Sequence, residues 1–292
     1  MRVIFCDSVF DNKLIEPEYE KEKLSAVKNG FSTSLISHEE LTDGNVALSI
    51  KLVKPSETKE LGIYRGWMLT PSQYEDLYNA LLNKNIELVN SPTEYTNCHY
   101  FPESYGVIEQ HTPKSNWTEQ IDDSAILELT SQFDNSAIII KDFVKSEKHN
   151  WEEACFIPQA SDQEHVKSVV KRFLELIGTS LNKGIVFRQF EELEFLTDHS
   201  KSRMPLTKEF RVFFYKNKLA CIFDYWDEGD YDGEKPNLKT FEELATKINS
   251  NFFTMDIAKK KNGEWIIMEL GDGQVSGLPD NANTDKFFNS LK

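Results

Sequence analysis

The sequence lacks several features that would point to particular protein classes. Its four cysteines are scattered and form neither a CxxC pair nor a metal-type spacing, so nothing indicates a disulfide framework or a zinc finger. No apolar run approaches the ~20 residues of a membrane span, and the chain has no internal repeat or low-complexity tract. These absences predict a reduced, cytoplasmic, globular protein without a membrane segment.

Positive charge is also scarce. Lys and Arg total 33 against 48 Asp and Glu, which gives a formal net charge of −15. So acidic a chain disfavours a phosphate backbone as a bulk partner, and we expect no nucleic acid. A local basic pocket for a small anion is compatible with the same balance.

The order of strand-like and helix-like segments divides the chain into two parts. Residues 1–118 alternate between the two patterns, which predicts an α/β layer, although three prolines in 91–117 predict an irregular passage there. Strands dominate residues 119–292, which predicts an α+β part. The elements expected are strands in VIFC, SLIS, NVALSIKLV, LGIYRGWML, AIIIKDFV, GIVFRQFEEL, EFRVFFY and LACIFDYW, and helices near 18–28, 71–84, 122–133, 163–181 and 240–249.

Three of these strands each carry a cation within an apolar frame. Lys141 ends AIIIK, Arg188 lies inside GIVFRQF, and Arg211 shares one face of EFRVFF with Glu209. A buried cation is costly unless it meets an anion. A snorkelling lysine and an internal Glu-Arg pair are the alternatives for single strands. Together, however, the three cations predict a polyphosphate pocket, because arginine binds phosphate bidentately and lysine binds it as a point charge.

The segment FTMDIAKKKNGEWIIMELGDG predicts a hairpin with paired acids. Asn262-Gly263 favours a two-residue type I′ turn, and counting outward from it places Asp256 opposite Glu269. Like charges facing across a ladder destabilise it. Mg²⁺ would turn this pair into a chelate, since it takes carboxylate and phosphate oxygens together. The alternative is two solvated acids on an exposed face.

The same count assigns the two faces of the hairpin. Asp272, just past the second strand, is a candidate third oxygen for the ion. The carboxylates are expected to share their face with Ala258 and Ile267. The residues expected to pack on the core are Met255, Ile257, Ile266, Met268 and Leu270.

The order of these motifs resembles the nucleotide-binding half of ATP-grasp enzymes over about residues 136–279. It is most similar to the R2K clade, named for two arginines and a lysine, here Arg188, Arg211 and Lys141. EFRVFF and the next strand also resemble the cell-division-cycle protein 123 group, which assembles a translation initiation factor. The resemblance implies an ATP-grasp fold, with two α+β subdomains (about 119–190 and 191–292) gripping the nucleotide. It also implies an α/β pre-ATP-grasp domain in residues 1–118, where YRGWML lies.

The resemblance further implies how ATP and metal are held. Two Mg²⁺ ions, with Mn²⁺ as a possible substitute, would lie at Asp256 and Glu269, while Arg188 and Arg211 act as catalytic cations. ATP-grasp enzymes often have asparagine two residues after the metal-binding glutamate; Gly271 stands there, which makes the shifted Asp272 the candidate replacement. The other residues implied to bind ATP are Lys141 at the α- or β-phosphate, Lys145, Ser146 and Lys148 in a loop covering the triphosphate, Gln189, Phe190, Glu191, Glu192 and Leu193 in an adenine hinge, and Glu209 at the ribose.

The implied activity is ADP-forming ligation of a carboxylate to an amine through an acylphosphate, on small-molecule, peptide or protein substrates. One alternative is an ATP-binding assembly factor for a protein partner, for which the acidic loop DYWDEGDYDGEKPN offers a surface unless it is a solvated insert. Another is a kinase-like phosphotransfer that stops at the phosphorylated acceptor. Tyr64, Arg65 and Trp67 are expected to serve the core or an acceptor site.

Overall fold

The computed structural model describes residues 1–201 and 204–292 as a mixed α and β protein. The strands are β1 (Arg2–Ser8), β2 (Asp11–Ile15), β3 (Ser32–Ile36), β4 (Glu60–Arg65), β5 (Ile86–Leu88), β6 (Ser115–Thr118), β7 (Ile138–Asp142), β8 (Phe156–Ile157), β9 (Ile185–Gln189), β10 (Phe195–Asp198), β11 (Pro205–Thr207), β12 (Glu209–Tyr215), β13 (Lys218–Asp224), β14 (Phe252–Lys259) and β15 (Trp265–Asp272). The helices are α1 (Glu20–Lys28), α2 (His38–Thr42), α3 (Val46–Ser49), α4 (Pro71–Leu82), α5 (Pro92–His99), α6 (Phe101–Ile108), α7 (Asp123–Ser131), α8 (Trp151–Ala154), α9 (Gln163–Ile177), α10 (Lys239–Ala245) and α11 (Thr284–Ser290). None of these helices combines the length and apolar character that crossing a bilayer requires.

The first sheet is the α/β layer predicted for the front of the chain. Strands β3, β1, β4 and β5 run parallel in that order, and β2 pairs antiparallel with the end of β1. Helix α4 begins where the sequence predicts: Thr70 closes a capping box with Gln73, and Pro71 takes the first helical position, where its missing N–H costs nothing. The prediction of a strand in NVALSIKLV is wrong. Gly44 turns the chain at φ +82°, and the short helix α3 follows.

The prediction of an irregular passage at residues 91–117 is also wrong, because this segment contains α5 and α6. The prolines that favoured irregular structure begin these helices instead. Ser91 caps α5 in a reciprocal pair with Glu94, and Pro92 follows the cap. Pro102 lies in the first turn of α6. Proline at a helix start loses no hydrogen bond, so these positions are compatible with helix.

The rest of the molecule contains the two-stranded sheet of β10 and β11 and two four-stranded antiparallel sheets. One has the order β6-β9-β7-β8, and the other has the order β13-β12-β14-β15. The second of these shares a core with the first sheet: Val3 and Phe5 of β1 cluster with Phe213 of β12, Phe252 of β14 and Phe287 of α11. This continuous core fixes the strands that carry charged residues relative to the N-terminal sheet.

The hairpin of β14 and β15 forms with a different turn from the one predicted. Lys260 N donates to Glu264 O at 2.8 Å and Gly263 N donates to Lys260 O at 2.8 Å, so the loop has three residues. Gly263 takes a φ of +90° whereas Asn262 does not take a positive φ. The Asn262 side chain accepts a hydrogen bond from Glu264 N at 3.0 Å, which stabilises this turn in place of type I′.

A β-bulge restores the predicted pairing of the acids. The longer loop shifts the pairing of β15 by one residue, so that Ile257 pairs with Ile267. The bulge that follows leaves Met268 without a partner on β14, which cancels the shift. Asp256 therefore lies opposite Glu269. An extra residue in one strand reverses the alternation of faces. Ile267 therefore packs in the core with Ile257, and Ile266 pairs with Ala258 on the carboxylate side, the reverse of the predicted assignment.

Candidate active site

The charged residues of the last sheet form a row across three strands. Arg211 of β12 pairs directly with Asp256 of β14, and Asp256 pairs with Glu269 of β15. Lys141 reaches the row from the end of β7 in the other antiparallel sheet, with Nζ 2.7 Å from Glu269 Oε1. The four side chains border a cleft of about 380 Å³. Residues far apart in the sequence thus meet as two cations and two carboxylates.

Each carboxylate of the charged row holds a cation. The Arg211 guanidinium contacts Asp256 through both oxygens, with Nε at 2.9 Å and a terminal nitrogen at 2.7 Å. Burial opposes ionisation of Glu269, but Lys141, with Arg188 and Arg211, outweighs burial and holds its pKa below the usual range. Burial likewise opposes the charge on Arg211, and the Asp256 carboxylate overcomes it and raises the Arg211 pKa. Glu269 and Arg211 are thereby kept ionised.

These two carboxylates suit Mg²⁺ bound together with phosphates. Within residues 1–201 and 204–292, no group of three or more His, Cys, Asp or Glu side chains is arranged to hold an ion. Mg²⁺ does not need such a cage, because one or two carboxylates, water and substrate phosphates complete its octahedral shell. Asp256 and Glu269 fit that role, since their oxygens already face positive charge in a cleft large enough for phosphates.

The loop after β7 covers one side of the cleft. Asp142, fully buried, anchors it by accepting hydrogen bonds from the backbone N–H groups of Val144 and Lys145 and from Asn182. Lys148 Nζ lies 5.9 Å above the ring of Trp226. The predicted triphosphate-covering residues Lys145, Ser146 and Lys148 all line the cleft.

Arg188 lies against the bulge of β15. Its guanidinium donates to the carbonyls of Met268 and Ile267 and to the hydroxyl of Thr112, which itself donates to Ile267 O. Burial lowers the Arg188 pKa to about 10, and its Nε is buried without a partner in the described part of the chain. A bulge interrupts the ladder locally, so Arg188 stabilises the distortion that aligns Glu269 with Asp256.

Asp272 lies on the floor of the cleft, fully buried. It accepts hydrogen bonds from Asn90 Nδ2 at 2.5 Å and from Gln274 N at 2.9 Å, and burial raises its pKa to about 7. Gly271 precedes it where the family often has asparagine. A Cβ built there would lie 2.6 Å from Ser276 Oγ and 2.9 Å from Thr254 Oγ1, so a side chain would displace both hydroxyls.

The residues predicted to form the adenine hinge run from Gln189, the last residue of β9, to Leu193, and they are tied to the end of the hairpin. Leu193 bridges to Lys260, and the Glu191 carboxylate lies 2.9 Å from Lys260 Nζ. Phe190 packs edge-on against Phe156 at 5.1 Å. Glu209, predicted at the ribose, accepts a hydrogen bond from Thr207, and burial raises its pKa to about 7. Their roles at adenine and ribose stay predictions.

Sequence reasoning missed Thr254 and Tyr225, which line the cleft. Thr254 lies two positions before Asp256 on the same strand, so alternation alone could have identified it. Tyr225, 4.8 Å from the Arg211 guanidinium carbon, carries no such signal because β13 ends at Asp224. His99 also lines the cleft, and burial lowers its pKa to about 4, which makes it neutral at pH 7.

Arg65, expected to serve the core or an acceptor site, supports the cleft from outside. It is buried, pairs with both oxygens of Glu22 at 2.7 and 2.8 Å, and donates to the carbonyls of Gly273 and Ser276 at 2.7 and 2.8 Å. These carbonyls belong to the glycine-rich loop after β15. The expected core role of Tyr64 and Arg65 is confirmed by their burial, whereas Trp67 is 44% exposed.

Comparison with known proteins agrees with this geometry. The family described as ATP-grasp domain, R2K clade family 3, matches residues 130–291. The RimK domain ATP-grasp protein from Sphaerobacter thermophilus DSM 20745 is similar in structure, with a TM-score of 0.62 and 12% identity over 99% of this chain and 98% of that one. No curated protein matches the chain in sequence.

Two neighbours complexed with precursors share the fold as well. The ATP-grasp ligase PsnB, complexed with minimal precursor, Mg and ADP, has a TM-score of 0.58 and 10% identity over 99% of this chain and 96% of that one. The macrocyclase MdnC from Microcystis aeruginosa MRC, bound with precursor peptide MdnA, has a TM-score of 0.55 and 11% identity over 100% and 99%. The predicted ATP-grasp fold is confirmed along the whole chain.

Proposed function

Since the chain belongs to the R2K clade of the ATP-grasp ligases, family 3, we propose that it uses ATP and Mg²⁺ to join a carboxylate to an amine through an acylphosphate, releasing ADP. The observation that carries this proposal is the charged row Arg211, Asp256 and Glu269, which Lys141 completes from the facing sheet. It provides cations for phosphates and carboxylates for Mg²⁺ within one cleft.

The chemistry asks the protein mainly for position and charge. A substrate carboxylate oxygen attacks the γ-phosphorus, and the bond from that phosphorus to the ADP oxygen breaks. The amine nitrogen then attacks the acyl carbon, the carbon–oxygen bond to phosphate breaks, and the amine loses a proton. Asp256 and Glu269 would hold Mg²⁺, which would supply positive charge to neutralise the phosphates. Lys141 and Arg211 donate to the phosphate oxygens and stabilise the charge of the transition state.

Binding of Mg-ATP requires two ion pairs to open. Lys141 leaves Glu269 and Arg211 leaves Asp256, so the phosphates replace the carboxylates around the cations. Mg²⁺ alone would pair with the two carboxylates but leave Lys141 and Arg211 without an anion. Nucleotide alone would pair with these two cations but leave the carboxylates without a cation. We therefore propose that Mg²⁺ and nucleotide bind synergistically. Asp272, which Asn90 holds through Oδ2, would offer its remaining lone pairs to a second ion.

Lys141→Ala is expected to weaken binding of a non-hydrolysable ATP analogue with Mg²⁺ by about tenfold to a hundredfold, because a charge-assisted hydrogen bond contributes ~1.5–3 kcal/mol. Lys145→Ala, on the exposed loop, is expected to cost less than about threefold, as for a screened surface charge. Titration calorimetry on both variants gives the comparison. Equal losses, or a larger loss for Lys145→Ala, would remove Lys141 from the phosphate site.

We propose a peptide or protein as one substrate, because PsnB and MdnC, which share the fold, are bound to precursor peptides. We also propose a cytoplasmic location, consistent with four free, buried cysteines.

We further propose the division into residues 1–118 and 119–292, with subdomains near 119–190 and 191–292. One change is needed: β6 joins the second part, because it pairs with β9.

The function is tested by incubating the protein with labelled ATP, Mg²⁺ and a peptide extract of cells, followed by mass spectrometry of the products. We expect ADP together with a product heavier than its parent peptide by one amine component less water. AMP in place of ADP would indicate adenylation and overturn the acylphosphate route. A stable protein partner with neither product nor ADP would favour an assembly factor.

A further inference from the structure

A second cleft opens on the N-terminal sheet, at the carboxyl ends of its parallel strands. It has a volume of about 560 Å³. Asp7 and Ser8 end β1, Ser37 and His38 follow β3, and Trp67 follows β4; all five line it. Ligands of open α/β sheets bind outside the carboxyl ends of the strands. We call this region the strand-end cleft.

The strand-end cleft combines negative charge with exposed apolar surface. Its lining contains the carboxylates of Asp7, Asp11, Glu16, Glu39 and Glu40, against one lysine among the described lining residues, Lys51. Side chains on its wall are unusually exposed: Phe10 is 99% exposed and Val9 72%. Single exposed apolar residues are normal, but contiguous ones rimmed by polar groups mark interaction surfaces.

Two consecutive residues line this cleft and the active-site cleft, one each. Trp67 lines the strand-end cleft, and the next residue, Met68, 46% exposed, lines the active-site cleft. The His38 ring lies 5.8 Å from the Trp67 ring, and its Nε2 is buried without a hydrogen-bond partner in residues 1–201 and 204–292. A ligand seated beside Trp67 can therefore extend past Met68 toward the charged row.

We propose that the strand-end cleft docks a basic, apolar segment of a peptide or protein substrate and guides the reacting group past Met68. The inference rests on the proposed ligase function. Charge complementarity selects this occupant, because a lysine or arginine on the segment would meet the carboxylates. Its apolar residues would cover Phe10, and its cation can also lie over the face of Trp67.

The test uses a fluorescent peptide of about ten alternating lysine and leucine residues, with a glutamate-leucine peptide of the same length for comparison. The cleft variant is Asp11→Lys with Glu39→Lys, at two exposed positions. The matched control is Glu57→Lys with Glu75→Lys, which changes net charge equally at exposed positions away from the cleft. Anisotropy titration is expected to show about tenfold weaker binding of the basic peptide to the cleft variant and less than about twofold change in the control.

Apolar contact is tested separately with Phe10→Ala against Leu24→Ala, an exposed leucine of α1. We expect only Phe10→Ala to weaken binding of the lysine-leucine peptide, by about threefold or more. No binding of the basic peptide, equal binding of both peptides, or equal losses in the cleft and control variants would overturn the inference.

A further comparison separates this inference from the proposed function. Calorimetry with Mg²⁺ and the ATP analogue is expected to show normal nucleotide binding in the Asp11→Lys, Glu39→Lys variant, and Glu269→Gln is expected to lose nucleotide but keep the peptide. If the peptide docks while nucleotide fails to bind even to the wild type, the proposed function is wrong and the docking cleft survives. If the wild type binds nucleotide but not the peptide, only the docking inference is contradicted.

Discussion

Glu269→Gln is expected to lower ATP turnover by about a hundredfold to a thousandfold, which is ~3–4 kcal/mol of transition-state stabilisation. The amide keeps the size of the side chain and an oxygen that accepts from Lys141, but it loses the charge that Mg²⁺ requires. Steady-state release of ADP, measured across a range of Mg²⁺ concentrations, gives the effect. We also expect the Mg²⁺ concentration for half-maximal rate to rise.

The matched control for this substitution is Glu264→Gln, at the exposed tip of the same hairpin. It removes the same charge from the protein while leaving the row of charged residues unchanged, so turnover should stay within about twofold of wild type. Thermal unfolding establishes that both variants fold. Turnover and nucleotide affinity of Glu269→Gln equal to those of wild type would show that Glu269 is not a metal ligand.

Arg65→Met is expected to reduce the free energy of unfolding by about 3–5 kcal/mol, the cost of breaking a buried ion pair from one side. Glu22, also buried, is left as an uncompensated charge, and the carbonyls of Gly273 and Ser276 lose their donor. Urea unfolding measures the loss of stability. Because the loop of these carbonyls lines the active-site cleft, kcat/KM for ATP should fall as well.

The double variant Arg65→Met, Glu22→Met separates the two effects. Replacing both partners by apolar side chains removes the stranded charge, and such replacements are often neutral in stability. We expect most of the stability to return while kcat/KM stays low, because the loop carbonyls still lack their donor. Full recovery of both quantities would show that Arg65 does not position the loop. A single variant as stable as wild type would contradict the buried-pair argument itself.

Local patterns predicted the strands and their charges well. Alternation in EFRVFF put Arg211 on one face, and the strand occupies the expected residues, Glu209–Tyr215. The helix after Asp122 was equally readable, since the Asp122 side chain caps the first turn. The failure at residues 91–117 has a local cause too, because its prolines are compatible with both an irregular loop and the first turn of a helix.

The hairpin shows where local reasoning reached its limit. The predicted opposition of Asp256 and Glu269 is confirmed. The count that led to it assumed a two-residue turn and regular pairing along both strands, and both assumptions were wrong. The turn has three residues, and the bulge at Met268 compensates for it. A bulge has no signal in the hairpin itself, because the donors that satisfy its carbonyls come from Arg188 and Thr112, far along the chain.

The sequence by itself determined the acidic balance, the strands that carry Lys141, Arg188, Arg211 and the paired acids, and through them the ATP-grasp family, because alternation and turn preference act between neighbours. The tertiary structure decided how those side chains are used. It turned Arg188 toward the bulge, buried Asp272 against Asn90, and opened the strand-end cleft. These outcomes depend on hydrogen bonds and packing between residues far apart in sequence, which no local pattern encodes.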